Sequence, residues 1–327
     1  MTTMIAATYE QGGDAAAVLQ VREVERPEPG PGQVRVRVAV SAINPTDVKI
    51  RSGLTPRPID GFQVPHMDGA GTIDAVGEGV DASRIGERVW LQLAADGNRY
   101  GTAAQWCVVA DDHAVRLADD ASFALGATLG VPAVTAAHCL FSDGPITGKH
   151  VLVAGGAGAV GRAAVQLARW AGAHVAATVS SDDKAAIARE AGAEHIVRYR
   201  DTDAIEQLRA WSTHVDRIIE LDLGANLDLD LAVSGYGTTI VTYAAAPGAD
   251  PSLPVRRLMY AQATLQFMLL YGVPAADRAT SAELVQRALA EHALTMPVAQ
   301  HFPLDRIADA HLAQEAGPFG RVLVDIP

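Results

Sequence analysis

Val151-Leu152-Val153-Ala154-Gly155-Gly156-Ala157-Gly158-Ala159-Val160-Gly161 is the stretch that decides the fold. A short apolar run leads into Gly156-x-Gly158-x-x-Gly161, and beyond it Val160, Ala164, Leu167, Ala168 and Ala171 share one helical face while Arg162, Gln166 and Arg169 lie opposite. Glycines at this spacing also occur in ordinary tight turns. A buried strand before them and an amphipathic helix after them point to dinucleotide binding instead. Glycine lets a pyrophosphate approach the backbone, and the free N–H groups of the helix start favour its charge. Gly156, Gly158, Ala159, Val160 and Gly161 are therefore the candidate cofactor-binding residues, and Gly172 supplies the helix stop. The nearby Gly144-Pro145-Ile146-Thr147-Gly148-Lys149-His150 is not a mononucleotide loop, since its glycines stand one residue too close and His150 replaces the Ser or Thr that holds magnesium.

Outward from this stretch, apolar runs at His174 to Val179, His195 to Val197, Val215 to Leu221, Thr238 to Tyr243 and Thr264 to Leu270 alternate with helical patterns. That rhythm predicts a parallel sheet covered on both faces. Ser181 caps a helix whose first turn carries Asp182 and Asp183, and Gly192 ends it. Upstream the pattern changes: Val34-Arg35-Val36-Arg37-Val38-Ala39-Val40 alternates with period two, and glycine and proline punctuate short strands at Gly71 to Val76, Arg88 to Leu93 and Gln105 to Val109. A helix at about Ser281 to His292 and a strand at Arg321 to Asp325 follow the parallel region.

The chain has 327 residues, long enough for two domains at roughly 100–200 residues each. With 38 acidic against 26 basic side chains the net charge is −12 and no basic block appears, which speaks against nucleic acid and anionic membrane as partners. The N-terminal stretch lacks the pattern of a signal peptide, and the apolar run Phe267 to Val273 falls well short of the ~20 residues of a membrane span. Cys107 and Cys139 are too few for a disulfide framework. A cytoplasmic protein is expected.

An NAD-preferring domain carries an acid at the end of its second strand for the ribose hydroxyls. Here that end reads Thr178-Val179-Ser180-Ser181, and the acids Asp182 and Asp183 belong to the next helix. Ser180, Lys184 and Tyr199 are instead candidates to hold a 2′-phosphate, so NADPH is the expected cofactor. A solvated lysine and a loop aromatic are the plainer alternatives for Lys184 and Tyr199.

These features occur together with Asn44-Pro45-Thr46-Asp47, Ile50-Arg51-Ser52-Gly53, Asp68-Gly69-Ala70-Gly71, Val76-Gly77-Glu78-Gly79-Val80, Gly86-Glu87-Arg88-Val89, Gly101-Thr102-Ala103-Ala104-Gln105 and Val134-Thr135-Ala136-Ala137. In this order, over nearly the whole chain, the set resembles the zinc-independent quinone oxidoreductases, the zeta-crystallin-like branch of the medium-chain dehydrogenase/reductase superfamily. The resemblance implies an α/β chain with a Rossmann doubly wound parallel sheet and a GroES-like β domain built from both chain ends, with the active site in the cleft between them. The expected boundaries are 1–122 for the first part of the catalytic domain, 123–270 for the nucleotide-binding domain and 271–327 for the return segment. It also implies a homodimer, pairing through the edge strand Thr264 to Leu270.

Zinc-dependent members of the superfamily carry a cysteine where Asn44 stands and a histidine where Met67 stands, so the resemblance implies no metal. Without a Lewis acid, hydride transfer to a quinone or an α,β-unsaturated carbonyl is the easier reaction, because the charge spreads into a phenolate or enolate. By the same analogy Asn44 and Thr135 line the nicotinamide end, although a turn role for Asn44 and a helix role for Thr135 remain open. Many relatives have a tyrosine where this chain has Lys49, which stands either as an oxyanion partner or as a solvent-exposed lysine. The competing functions are an enoyl-thioester reductase and a non-catalytic, crystallin-like NADPH binder.

Overall fold

The computed structural model describes residues 2–245 and 251–327. In chain order the strands are β1 (Thr3–Thr8), β2 (Gln20–Glu25), β3 (Gln33–Ile43), β4 (Asp68–Val76), β5 (Arg88–Leu91), β6 (Trp106–Ala110), β7 (Ala114–Arg116), β8 (His150–Val153), β9 (His174–Val179), β10 (His195–Arg198), β11 (Val215–Glu220), β12 (Ser234–Thr242), β13 (Thr264–Phe267), β14 (Val298–Pro303) and β15 (Arg321–Asp325). The chain divides into two compact units, Met1–Val131 with Met296–Pro327, and Pro132–Thr295. The first unit is thus built from both chain ends. The boundaries expected at 122/123 and 270/271 both lie short of these, and the helix Ala275–Ala290 falls in the second unit rather than in the return segment.

The second unit is a six-stranded sheet in the order β10-β9-β8-β11-β12-β13, with every pairing parallel. This is the Rossmann order, and it reverses between β8 and β11, the switch point at which such sheets take their ligands. The apolar runs became strands because both faces are covered: Val151, Leu152 and Val153 are all buried. The helix Ala159–Trp170 buries Gly161 through Ala168, including the stems of Arg162 and Gln166. Those two side chains end on Thr295, where Arg162 Nε and Gln166 Nε2 donate to its carbonyl at 3.1 and 2.9 Å, which offsets their burial.

In the first unit a seven-stranded sheet, made of the path β14-β15-β3-β4-β5-β7 with β6 added against β3, is accompanied by the β1–β2 pair. The alternation of valine and arginine in β3 has a physical outcome: Val34, Val36 and Val38 enter an apolar cluster with Ile73, Val89, Leu91 and Cys107. Arg35 lies on the other face in a bidentate pair with Asp74. The helix after β13 begins at Ala275, directly after Pro274 and ahead of the expected Ser281. A further helix, Ile307–Glu315, escaped the sequence reading since its buried stripe of Ile307, Ala310 and His311 contains a polar residue. Strand β14 escaped it because four of its six residues are exposed.

At the glycine loop, Gly155 adopts φ +67°, and a Cβ on Gly161 would stand 2.2 Å from the Gly155 carbonyl oxygen. Helix and loop can approach this closely only without that atom. Gly161→Ala is expected to destabilise the chain by about 1–3 kcal/mol, read as a lowered midpoint in urea unfolding.

Candidate functional site

The loop reaches the helix Ala159–Trp170 at Gly158, its N-cap, which offers no side-chain cap. The first bond onto the helix runs from Arg162 N–H to the Gly158 carbonyl at 2.7 Å, so the N–H groups of Ala159, Val160 and Gly161 precede it and have no intrahelical partner. Gly156 is buried, and a Cβ there would meet the Ala177 side chain at 2.6 Å. Gly158 differs: it is exposed, and an added Cβ would find only the Gly155 oxygen, at 3.4 Å. The internal packing therefore explains the glycines at 156 and 161 but not the one at 158. What Gly158 leaves open is the outside of a bare helix N-terminus, a cradle that suits a pyrophosphate.

At the end of β9, Lys184 Nζ donates to Ser180 Oγ at 3.0 Å, while Ser181 Oγ accepts the Lys184 N–H and caps the helix Asp182–Glu190. Tyr199 follows β10, its N–H donating to the Val179 carbonyl at 3.2 Å, which brings it beside the same strand end. The structure thus gathers Ser180, Lys184 and Tyr199 at neighbouring strand ends. It adds two cations that sequence reasoning missed. Arg200 lies 5.4 Å over the Tyr199 ring, and Arg198 pairs with Asp182 at 3.3 Å and Asp201 at 2.9 Å. The signal was available in the run Arg198-Tyr199-Arg200, two cations flanking the candidate tyrosine.

In the first unit, Asn44 is the N-cap of the helix Pro45–Ser52, and its N–H donates to Asp47 Oδ2 at 2.7 Å. Its amide turns inward, Nδ2 donating to Asp68 Oδ2 at 2.8 Å and Oδ1 accepting from Arg321 Nη1 at 2.8 Å. Arg321 Nη2 also donates to Asp68 Oδ2 at 3.1 Å, and Asp68 Oδ1 accepts the Val131 N–H at 2.8 Å. Burial pushes Asp68 up to about 6 against the opposing pull of Arg321 and Asn44. Asp47 rises to about 7, first by burial and then by the neighbouring Asp68 charge, although the Asn44 and Met67 N–H groups pull the other way. Sequence reasoning missed Arg321; a lone cation opening the apolar run Val322-Leu323-Val324 was its signal.

A chain of hydrogen bonds continues from Asp68. Thr102 Oγ1 donates to the Asp68 carbonyl at 2.6 Å, which leaves it to accept from Ser41 Oγ at 2.7 Å. Ser41 in turn accepts from His66 Nδ1 at 2.8 Å, and His66 Nε2 accepts from His311 Nε2 at 2.9 Å. This direction of donation fixes both tautomers. Desolvation holds both imidazoles below their usual range, His311 at about 3.

Lys49 is half-buried on the helix Pro45–Ser52 and has no ion-pair partner among the described residues. Beside that helix, Tyr9, Asp47, Ile50, Gln63 and His66 line a narrow cleft with room for about one water molecule. Thr135 is buried in the helix Gly130–Phe141 of the second unit. Among the described residues, no group of three or more His, Cys, Asp or Glu is placed to hold a metal ion.

The alcohol dehydrogenase GroES-like domain family matches residues 30–141 and the zinc-binding dehydrogenase family matches residues 159–289. Rat quinone oxidoreductase is 27% identical over 323 residues, covering 97% of this chain and 95% of its own. The solved structure of a mycobacterial quinone oxidoreductase superposes with a TM-score of 0.89 at 27% identity, over 98% of this chain and 99% of that one. A mycobacterial structure complexed with NADPH gives 0.83 at 26% identity, over 98% and 99%. The chain belongs to the medium-chain dehydrogenase/reductase superfamily and is an oxidoreductase. Within that superfamily its likeness runs to the quinone oxidoreductases.

Because Arg321 is the only cation bonded to the buried Asp68 among the described residues, removing it strands a charge. Arg321→Leu is expected to cost about 3–5 kcal/mol of unfolding free energy in denaturant titration, whereas an exposed arginine such as Arg306, changed likewise, costs under about 0.5 kcal/mol.

Proposed function

We propose that this oxidoreductase transfers hydride from NADPH to quinones or to the β-carbon of α,β-unsaturated carbonyls without a metal ion. The observation that carries the cofactor choice is Lys184 Nζ on Ser180 Oγ at the end of the second Rossmann strand, with Tyr199 and Arg200 alongside. These groups offer a 2′-phosphate a cation and hydroxyl donors. The Gly158 cradle and the N–H groups of Ala159, Val160 and Gly161 receive the pyrophosphate. When bound, the nicotinamide supplies the hydride.

Metal-free chemistry is supported by Arg321. Its guanidinium already bonds Asn44 Oδ1 and Asp68 Oδ2, so a divalent ion brought to these ligands would meet a fixed positive charge. Met67 beside them offers only a weak thioether acceptor. This residue set does not fit a metal. A conjugated acceptor suits it, since the charge that develops is delocalised and asks for positioning and a few donors. We assign Lys49 to the developing oxyanion, Thr135 to the nicotinamide carboxamide, and Asn44 to shaping the reacting end through its hold on Asp68.

The test is turnover of NADPH with a panel of simple quinones, enals and a crotonyl thioester. Quinone or enal reduction that survives EDTA is expected. Lys184→Ala should raise the KM for NADPH about tenfold, the weight of one charge-assisted hydrogen bond, and leave the KM for NADH unchanged. Equal losses with both cofactors would overturn the Lys184 assignment, and turnover on the thioester alone would overturn the substrate class.

We infer that the protein is a homodimer through β13, the edge of the parallel sheet. Phe267 and Leu269 at that edge are 71% and 64% exposed, and Tyr260 in the preceding helix is 77% exposed, an unusual amount of bare apolar surface at an open strand. In light scattering the native chain should give twice its chain mass, and Phe267→Asp combined with Leu269→Asp should give the monomer. A monomeric native chain would sink the reading. No described helix is long and apolar enough to cross a membrane, and both cysteines are buried and unpaired, which suits a cytoplasmic setting.

A further inference from the structure

Two carboxyl groups are buried together at the end of β11. Glu220, the last residue of that strand, and Asp230, on the helix Leu223–Val233, are 0% and 1% exposed. Glu220 Oε1 accepts three donors, the Leu221 N–H at 2.7 Å, the Asp222 N–H at 2.5 Å and Asn226 Nδ2 at 2.9 Å. Its other oxygen, Oε2, and Asp230 Oδ2 are buried with no donor facing them, although the two side chains are in hydrogen-bond contact. Two ionised carboxylates do not share such a space, whereas an acid and a carboxylate satisfy both orphan oxygens with one proton.

The neighbouring elements supply no compensating cation among the described residues. Asp222 and Tyr243 face Glu220, with Cys139 behind the tyrosine. Arg217 on β11 is engaged by Asp143 and the Cys139 carbonyl, and Arg209 by the Ala232 carbonyl. Desolvation drives Asp230 well above the usual carboxyl range and Glu220 upward with it. The pair lies under the glycine loop. Ala154 N–H donates to the Ile219 carbonyl at 2.9 Å, and a Cβ on Gly155 would stand 2.3 Å from Leu221 Cδ2. The turn pinned by Glu220 is thus the surface on which Gly155 rests.

We propose that Asp230 is a neutral carboxylic acid that donates its proton to Glu220 Oε2, and that it is the positioning residue holding the 220–222 turn, and through Leu221 the glycine loop, in the shape that takes the dinucleotide. Asp230 touches neither cofactor nor substrate. It fixes which Glu220 oxygen remains free for the three donors, so the loop keeps its form without a cation beneath it.

The inference rests on the NADPH reading above, and the test separates the two. NADPH affinity is measured for the native chain, Asp230→Asn and Asp230→Ala, together with their infrared difference spectra in the carbonyl region. Asparagine keeps an N–H donor at the same place, so Asp230→Asn should stay within about twofold of the native Kd, while Asp230→Ala should weaken it about tenfold. Turnover at saturating NADPH should stay unchanged in both. The native minus Asp230→Asn spectrum should show the carbonyl stretch of a protonated carboxylic acid at neutral pH. Loss of affinity in Asp230→Asn equal to that in Asp230→Ala, native affinity in Asp230→Ala, or no acid band, would each overturn the proposal. A native chain that binds no NADPH would instead overturn the cofactor reading, and the infrared spectrum would still decide whether Asp230 carries the proton.

Discussion

The guanidinium of Arg321 between Asn44 and Asp68 is the contact on which the split unit turns. It follows from register. Antiparallel pairing sets Val322 opposite Ile43 and Leu323 opposite Ala42, which brings Arg321 level with Asn44; pairing of β3 with β4 sets the same Ala42 opposite Asp68. Three residues from three distant parts of the chain therefore meet at one sheet position, where no water can solvate them. A slip of one residue would turn Arg321 to the other face and leave Asp68 alone. The charge pair contributes little net stability against an apolar alternative, but its loss is expensive, so it selects the correct register for the C-terminal segment. Two further polar contacts work in the same direction, His66 with His311 and Arg51 with Glu315, both joining the N-terminal part to the helix Ile307–Glu315.

The second unit solves a different electrostatic problem. A chain of net charge −12 repels a polyanionic dinucleotide at long range, and salt confines that repulsion to about 8–10 Å. In the proposed binding mode, what decides affinity is then the local field. At the loop this comes from backbone N–H groups of a helix start, which cost no side-chain entropy to aim. At the end of β9 it comes from Lys184, Arg198 and Arg200 standing among Asp182, Asp183 and Asp201, and the pairing of Arg198 with Asp182 and Asp201 matters because it withdraws two of those acids. Lys184 then keeps its hydrogen bond to Ser180 rather than an ion pair with these carboxylates.

Most of the fold was legible because its signals are local. The strand His174–Val179 and the strand Arg321–Asp325 were readable to the residue, since each is a short apolar run that follows closely on a glycine. The glycine loop was legible because its spacing, the strand before it and the helix after it all lie within one short stretch of sequence. What could not be read is what long-range register creates. Asn44 was singled out as a site residue, but nothing near it in sequence announces Arg321, 277 positions away. Lys49 shows the same limit. The sequence singled it out as a residue, but the helix Pro45–Ser52 that carries it and its lack of an ion-pair partner among the described residues are properties of the folded surroundings.

The buried acids show how these two kinds of information combine. Asp47 and Asp68 lie at the start of a helix and of a strand, and Glu220 at the end of a strand. Each accepts N–H groups that a break in regular backbone leaves over: Asn44 and Met67 for Asp47, Val131 in the first turn of the helix Gly130–Phe141 for Asp68, Leu221 and Asp222 for Glu220. Burial is tolerated because each acid fills donors that would otherwise be unsatisfied. The partner that balances the remaining charge then differs. In the first unit it is a guanidinium, which fits a position where the return segment must be held in register. In the second, among the described residues, no cation stands beside Glu220, and only a second acid with a proton of its own can complete the set. The fold thus uses one device, a carboxylate at an irregular strand end, in two chemical forms, and the choice between them is made by whichever side chain the topology delivers opposite it.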